Sequence, residues 1–251
     1  MGQPNVVSKD QWLRTRIELL EKEKAHSRAR DELTRARQTM PWVRVDKAYV
    51  FEGPDGRESL GELFQGKGQL IVYHFMFDND WEEGCKSCSF LADHYGTSVA
   101  HIAQRDVALV TVSKAPWKKF DAFKKRMGWT FKWVSSEHSD FNRDFNVSFT
   151  VDEIADHKAN YNFREGSTFP MREAPGISVF AMDGDGNVFH TYSSYGRGLE
   201  NFIGAYHLLD IVPKGRDETE LAYGMEWVRH RDRYDDQGFV DPYVDKIGRN
   251  E

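Results

Sequence analysis

Residues 69–77 read Gln-Leu-Ile-Val-Tyr-His-Phe-Met-Phe, a run so rich in aliphatic and aromatic side chains that neither of its faces suits water. A strand of this kind belongs inside a sheet covered on both sides, and the neighbouring segments supply one. The run 106–113, Asp-Val-Ala-Leu-Val-Thr-Val-Ser, predicts a second buried strand. Pro116 opens a helix over Trp117–Met127 with Phe120 and Phe123 inward, and another strand is expected at Phe131–Val134. Strand, helix, strand, helix in that order is the signature of an α/β domain with a parallel section in its sheet. Further along, 176–182 and 187–192 flank Asp183-Gly184-Asp185-Gly186, a hairpin signal. Turned around Gly184 and Asp185, the hairpin sets Ile177 near Tyr192 and brings Pro175 toward residues 193–197. Pro175 cannot donate a ladder hydrogen bond and suits a rigid turn, for which a cis peptide is one route.

Three regions are expected: an N-terminal helical arm over 1–40, an α/β domain over 41–212, and a polar C-terminal extension over 213–251. Ser8 with Gln11 marks a helix start, and Gln11 to about Met40 reads as one long helix. Trp12, Leu13, Ile17, Leu20 and Leu33 offer apolar contacts, interrupted by Lys24 and Arg28, for packing on the domain or on a second copy as a homodimer. Val43, Val45, Tyr49 and Phe51 alternate as a strand does, Leu60–Phe64 suggests a short helix, and Leu199 to about Leu209 the last clear one. The charged stretch Glu220–Asp235 is expected to add at most a peripheral short helix.

Both cysteines of the chain fall in Cys85-Lys86-Ser87-Cys88, directly after the polar turn Asp78–Gly84 and at the start of a helix running through Phe90, Leu91 and His94. Helix N-termini expose unpaired N–H groups and partial positive charge, which stabilise a thiolate, so Cys85 is the expected nucleophile. Cys88, one turn on along the same face, is placed to resolve a mixed disulfide formed at Cys85. Lys86 favours a thiolate, whereas Asp78, Asp80, Glu82 and Glu83 oppose it. His74, on the doubly buried strand, is read either as a hydrogen-bonded core residue or as a proton acceptor near the dithiol.

The formal net charge of -6 argues against general nucleic-acid binding, which draws on clustered Lys and Arg. No apolar stretch has the length to cross a bilayer and the first residues lack a secretory core, so no membrane partner and a cytoplasmic location are expected. In a reducing cytosol an isolated Cys-x-x-Cys is redox-active or metal-binding rather than a permanent staple. Asp183–Asn187 imitates a calcium loop, but Ser194 stands where a bidentate Glu is needed.

The segments Trp81–Cys88 and Pro175–Phe180 resemble the thioredoxin-like superfamily, in which a Trp four residues ahead of the nucleophilic cysteine and a cis-proline at a strand start face the dithiol. Within it the chain resembles the domain of unknown function 899 family, described as predicted dithiol-disulfide oxidoreductases. The shared-looking stretches include Leu70–Phe77, Gly84–Asp93, Arg126–Trp129, Trp133–Ser136, Asp140–Asn142 and Thr191–Gly198. Relative to thioredoxin itself, Lys86-Ser87 replaces a Gly-Pro pair, and Gly84 replaces an aromatic residue. The resemblance implies a mixed sheet flanked by helices and thiol–disulfide exchange with a protein or small-molecule disulfide. No cofactor is implied, electrons coming from another thiol system. It also implies substrate contacts at Trp81, Ala174 and Pro175, with Tyr195 and Arg197 beside them. Two rivals stand. A peroxiredoxin-type peroxidase lacks its usual Thr or Ser three positions ahead of the cysteine, where this chain has Glu82. A metal-binding or interaction module would join Cys85 and Cys88 to His94 or His101, without a second Cys-x-x-Cys.

Overall fold

A computed structural model describes residues 4–167 and 169–235, in two units that divide between Trp42 and Val43. The first is a single helix, α1 (Lys9–Gln38). Ser8 Oγ accepts the Gln11 N–H at 3.2 Å, and Asp10 in the first turn and Arg35 and Arg37 in the last complement the helix dipole. None of its residues is buried, and Trp12, Leu13, Ile17 and Leu33 stay exposed.

The second unit is built on one mixed sheet. Its strands are β1 (Val43–Arg44), β2 (Val50–Gly53), β3 (Gly56–Ser59), β4 (Gln69–His74), β5 (Val107–Ser113), β6 (Lys132–Ser135), β7 (Gly176–Met182) and β8 (Val188–Tyr195), ordered β1-β8-β7-β4-β5-β6-β2-β3. Strands β4, β5 and β6 are parallel; β7 runs antiparallel to β4, and β8 to β7. Helix α2 (Lys86–Tyr95), followed by the short α3 (Val99–Ala103), links β4 to β5, and α4 (Trp117–Arg126) links β5 to β6. The short helices α5 (Phe141–Asp144) and α6 (Val151–Ala155) precede the hairpin, and α7 (Gly204–Leu209) follows it. With β4 central, β5 on one side and the β7-β8 hairpin on the other, the fold is thioredoxin-like.

Strand β4 is central because both of its faces need cover. Leu70 and Val72 join Phe51, Leu63, Phe64, Val110 and Phe180 in one layer, whereas Tyr73 and the following Phe75 join Leu91, Phe120, Phe123 and Trp133 in the other. In that second layer Trp133 stacks on Phe120 at 4.8 Å and donates its indole N–H to Ser113 Oγ at 3.0 Å. Helix α4 ends where Gly128 adopts φ +63°, with the Trp129 N–H returning to Lys124 O.

Several expectations are corrected. The alternating run Val43–Phe51 is two strands on opposite flanks of the sheet, β1 against β8 and β2 against β6. The crossing is tied down by Tyr49 Oη and Lys47 Nζ, which both donate to Asp144. The β7-β8 register is shifted: Ile177 faces Ser194, and Val179 faces Tyr192. The turn is one residue longer than assumed, closed by Asp183 N–H to Asn187 O with Gly186 at φ +82°, and a bulge after Val179 adds another residue. Pro175 is trans, since no cis peptide occurs among the described residues. The chain there runs extended from the Ser148–Glu173 bridge into β7, Ala174 N–H donating to Val147 O, and needs no reversal. Residues 210–235 form turns rather than a helix, yet they are not peripheral, for Val228 is fully buried in the core layer of α2. Among the described residues no helix is long and apolar enough to cross a membrane.

Leu70, with no exposed surface, should lose about 2–5 kcal/mol on replacement by Ala. Ile17→Ala on the exposed helix should change stability by no more than about 0.5 kcal/mol in the same urea titration. Similar losses for both would contradict this placement of the core.

Candidate active site

Beyond β4 the chain continues extended, Phe75 N–H donating to Val112 O and Ala115 N–H to Phe77 O, so the polar turn 78–84 leaves from the carboxyl end of the central strand. The turn returns through Gly84, where no side chain fits: a Cβ would lie 2.7 Å from Phe75 Cε1 and 2.8 Å from Phe123 Cε1. The next residue donates its N–H to Met76 O at 3.1 Å, and this is Cys85, the N-cap of α2. Its Sγ accepts the Cys88 N–H at 3.4 Å, the bond a capping oxygen makes elsewhere.

The two sulfurs differ in proton affinity. Hydrogen bonding from the Cys88 thiol and from the Cys88 and Ser87 N–H groups, together with the charge of Lys86, holds the Cys85 thiol below its usual range against the opposing effect of burial. Burial and the neighbouring Cys85 push the Cys88 thiol well up, although the Tyr73 hydroxyl and the Met76 N–H bond to its sulfur. Of the two sulfurs, Cys85 is therefore the more readily ionised and Cys88 the one that holds its proton longer. The acids that opposed this in the sequence are each paired: Asp78 and Asp80 with Arg172, Glu82 with Lys119, and Glu83 with Arg126 and Arg233.

Both cysteines are free thiols and nearly without solvent contact, Cys85 at 4% exposure and Cys88 at 2%. They open instead onto a cavity of about 620 Å³ that Tyr73, Met76, Pro175 and Arg197 also line. Of the residues named from sequence, Pro175 and Arg197 thus share this cavity with the dithiol. Trp81 is buried in the aromatic core beside it, and Ala174 packs with Val147 and Tyr195 in a separate small cluster. Tyr195 donates its hydroxyl to Phe145 O at 2.9 Å. His74 points to the opposite face of the sheet. It is stacked on Phe141 and Phe145, bonded to Ser178 Oγ at 2.9 Å, and pushed by burial down to about 3, which keeps it neutral and away from the sulfurs. The residue at the dithiol from that strand is Tyr73, which alternation along β4 puts on the face of α2.

The segment after α7 closes over this end of the helix. Lys86 is buried, its Nζ donating to Glu226 O at 2.8 Å and lying over the Tyr223 ring. His230 donates from Nε2 to Gly84 O at 2.9 Å and accepts from Arg126 at Nδ1, a neutral imidazole whose proton affinity burial lowers. Trp227 and Val228 were the apolar signals for this packing in an otherwise charged stretch. The metal reading finds no ligand set: no group of three His, Cys, Asp or Glu that could hold an ion occurs among the described residues, and His94 accepts from Ala205 N–H.

A bacterial protein family of unknown function, DUF899, matches residues 1–234. No curated protein matches the chain. Among solved structures it is similar to the peroxidoxin BcpB of Mycobacterium tuberculosis, at 12% identity and a TM-score of 0.44 over 68% of this chain and 97% of that one. It is also similar to a cysteine-to-serine variant of PrxQ from Xylella fastidiosa, at 10% identity and a TM-score of 0.42 over 66% and 94%. A peroxiredoxin Q variant from Xanthomonas campestris gives 12%, 0.42, 68% and 97%.

Two residues before Pro175, the buried Glu173 carboxyl accepts from Ser148 and Asn142, yet burial pushes it up to about 8. The folded state therefore binds this proton more tightly than the unfolded chain does. Its contribution to stability is complete below the ordinary glutamate range and is lost as the pH rises toward about 8. Relative to wild type, Glu173→Gln should lessen the fall in urea-unfolding stability between about pH 5 and about pH 9. A variant whose stability falls as steeply as that of wild type would contradict a protonated carboxyl.

Proposed function

Since the chain belongs to the DUF899 family of bacterial proteins, we propose that it is a thiol–disulfide oxidoreductase acting through Cys85 and Cys88. The observation that carries this reading is the opposite displacement of the two thiols, Cys85 toward the thiolate and Cys88 toward the thiol, at a helix start that opens on a cavity. The Cys85 thiolate attacks one sulfur of a disulfide, forming a mixed disulfide and expelling the other sulfur as a thiolate. Once Cys85 is in that bond its negative charge no longer holds the Cys88 proton, so Cys88 ionises more readily, its proton passing to the departing thiolate. Cys88 then attacks Cys85 Sγ and expels the second thiolate, leaving a Cys85–Cys88 disulfide. Pro175 and Arg197 would guide the partner from the cavity wall. Trp81, Ala174 and Tyr195 would fix that wall from behind.

A second reading is thiol peroxidase, favoured by the enclosure of Cys85, since a cavity of this kind admits a small hydroperoxide as readily as a small disulfide. The thiolate would then cleave the O–O bond, giving sulfenic acid and an alcohol or water, and Cys88 would condense with the sulfenic acid to release water.

The two readings part in one assay. The reduced protein is mixed separately with a small disulfide and with hydroperoxide, in wild type, Cys85→Ser and Cys88→Ser. The exchange reading predicts a Cys85-dependent reaction with the disulfide, Cys88→Ser stalling as a mixed disulfide seen by mass. Equal rates in wild type and Cys85→Ser would reject the nucleophile. Faster oxidation by peroxide than by any disulfide would favour the peroxidase.

A further inference from the structure

We propose that the dithiol serves low-molecular-weight disulfides bearing apolar substituents and that the segment from Asp217 to Asp235 denies protein disulfides access to it; this rests on the exchange reading above. Exchange requires the partner's sulfur to touch Cys85 Sγ, so whatever limits the approach to that atom selects the substrate. A protein disulfide needs the sulfur on an open surface. Here Cys85 keeps 4% of its surface exposed and communicates with a cavity of about 620 Å³, a volume in the range of small-molecule sites.

The roof is anchored on both sides of the helix start. Glu226 O accepts from Lys86, and His230 bonds Gly84 O. Asp232 pairs with Arg126, and Arg233 with Glu83 at 2.5 Å. Beneath these bonds the fully buried Val228 ties the segment into the core layer. Removing the roof would therefore expose an apolar core face along with the sulfur, which makes spontaneous opening costly.

The walls set the chemistry of the ligand. Met76, Leu91, Met171, Leu199, Ile203 and Met225 present aliphatic and thioether surface that adapts to apolar groups of varied shape. The lining cations Lys86, Arg197 and Arg216 stand against the lining carboxylates Glu200 and Glu218 and against Asp210, which pairs with Arg216 as Glu200 does with both arginines, so the rim offers little net charge to an ionic substrate. In the full cycle, two electrons pass from the dithiol to a disulfide RSSR. The S–S bond of RSSR breaks, one RSH leaves with the Cys88 proton, one RS⁻ leaves and takes a proton from solvent, and the Cys85–Cys88 bond forms. Two molecules of a small thiol entering the same cavity reverse these steps and return the dithiol.

The test uses the full-length reduced protein and three probes: 2,2′-dithiodipyridine, a small neutral aromatic disulfide; oxidised glutathione, small and charged; and insulin. Each rate is divided by that of free dithiothreitol with the same probe, which removes the intrinsic reactivity of the disulfide. The normalised rate for the aromatic probe should exceed that for insulin by about 100-fold or more, with glutathione between them. Insulin at a normalised rate equal to the aromatic probe overturns the proposal while leaving the exchange reading intact. Absence of any Cys85-dependent reaction overturns both. As a second measurement, Met225→Trp, shown by circular dichroism to keep its fold, should fill the cavity and slow the aromatic probe by about tenfold or more. An unchanged rate in that variant overturns the cavity as the route of entry.

Discussion

The position of the Cys85 sulfur depends on a steric fact one residue earlier. Gly84 passes between the edges of Phe75 and Phe123 at a distance that excludes even a methyl group. Phe75 extends the central strand and Phe123 lies on α4, so the contact locks the polar turn to two elements of the core at once. The Cys85 N–H then reaches Met76 O, which fixes where α2 begins. From that point the sulfur's position follows without further choice: as the N-cap it lies within reach of the Cys88 N–H, and Cys88 follows one turn later against Tyr73.

Burial alone would make both thiols harder to ionise. What separates them is the direction of their hydrogen bonds. Cys85 is the acceptor from the helix start and from Cys88, whereas Cys88 spends its proton on Cys85. The surrounding acids are held by arginine and lysine partners, and the charge that lowers the Cys85 thiol is that of Lys86. The same lysine joins the C-terminal segment to the site, for its ammonium is held by Glu226 O. Acidity and enclosure thus share one side chain.

The α/β class, the strand leading to the dithiol, the two crossover helices and the placement of both cysteines at a helix start were legible in the sequence because each rests on local pattern: doubly apolar strands, Pro116 at a helix start, and a Cys-x-x-Cys after a polar turn. The failures were long-range. Alternation in Val43–Phe51 marked strand character and could not say that its two halves lie on opposite flanks. Parity along β4 divides its two faces without telling which one the helix covers, so the sequence alone cannot separate His74 from its neighbour Tyr73, which has the place at the dithiol. The cis-proline implied by family resemblance is absent, the chain entering β7 extended. The charge of the C-terminal segment points to the periphery, whereas its placement is decided by Val228 and by charges that find partners on α4 and the turn before Cys85.

The chemistry of the site turns on a split in acidity between two neighbouring sulfurs, Cys85 below the ordinary thiol range and Cys88 above it. Alkylation of the reduced native protein by iodoacetamide across a pH series, with each site resolved by mass spectrometry, measures this directly. In initial rates, taken before alkylation of Cys85 frees the Cys88 proton, Cys85 is expected to be labelled first, with its transition below the ordinary thiol range, and Cys88 to show its transition only above that range. Labelling led by Cys88, or both sites rising together at the ordinary thiol pH, would contradict it.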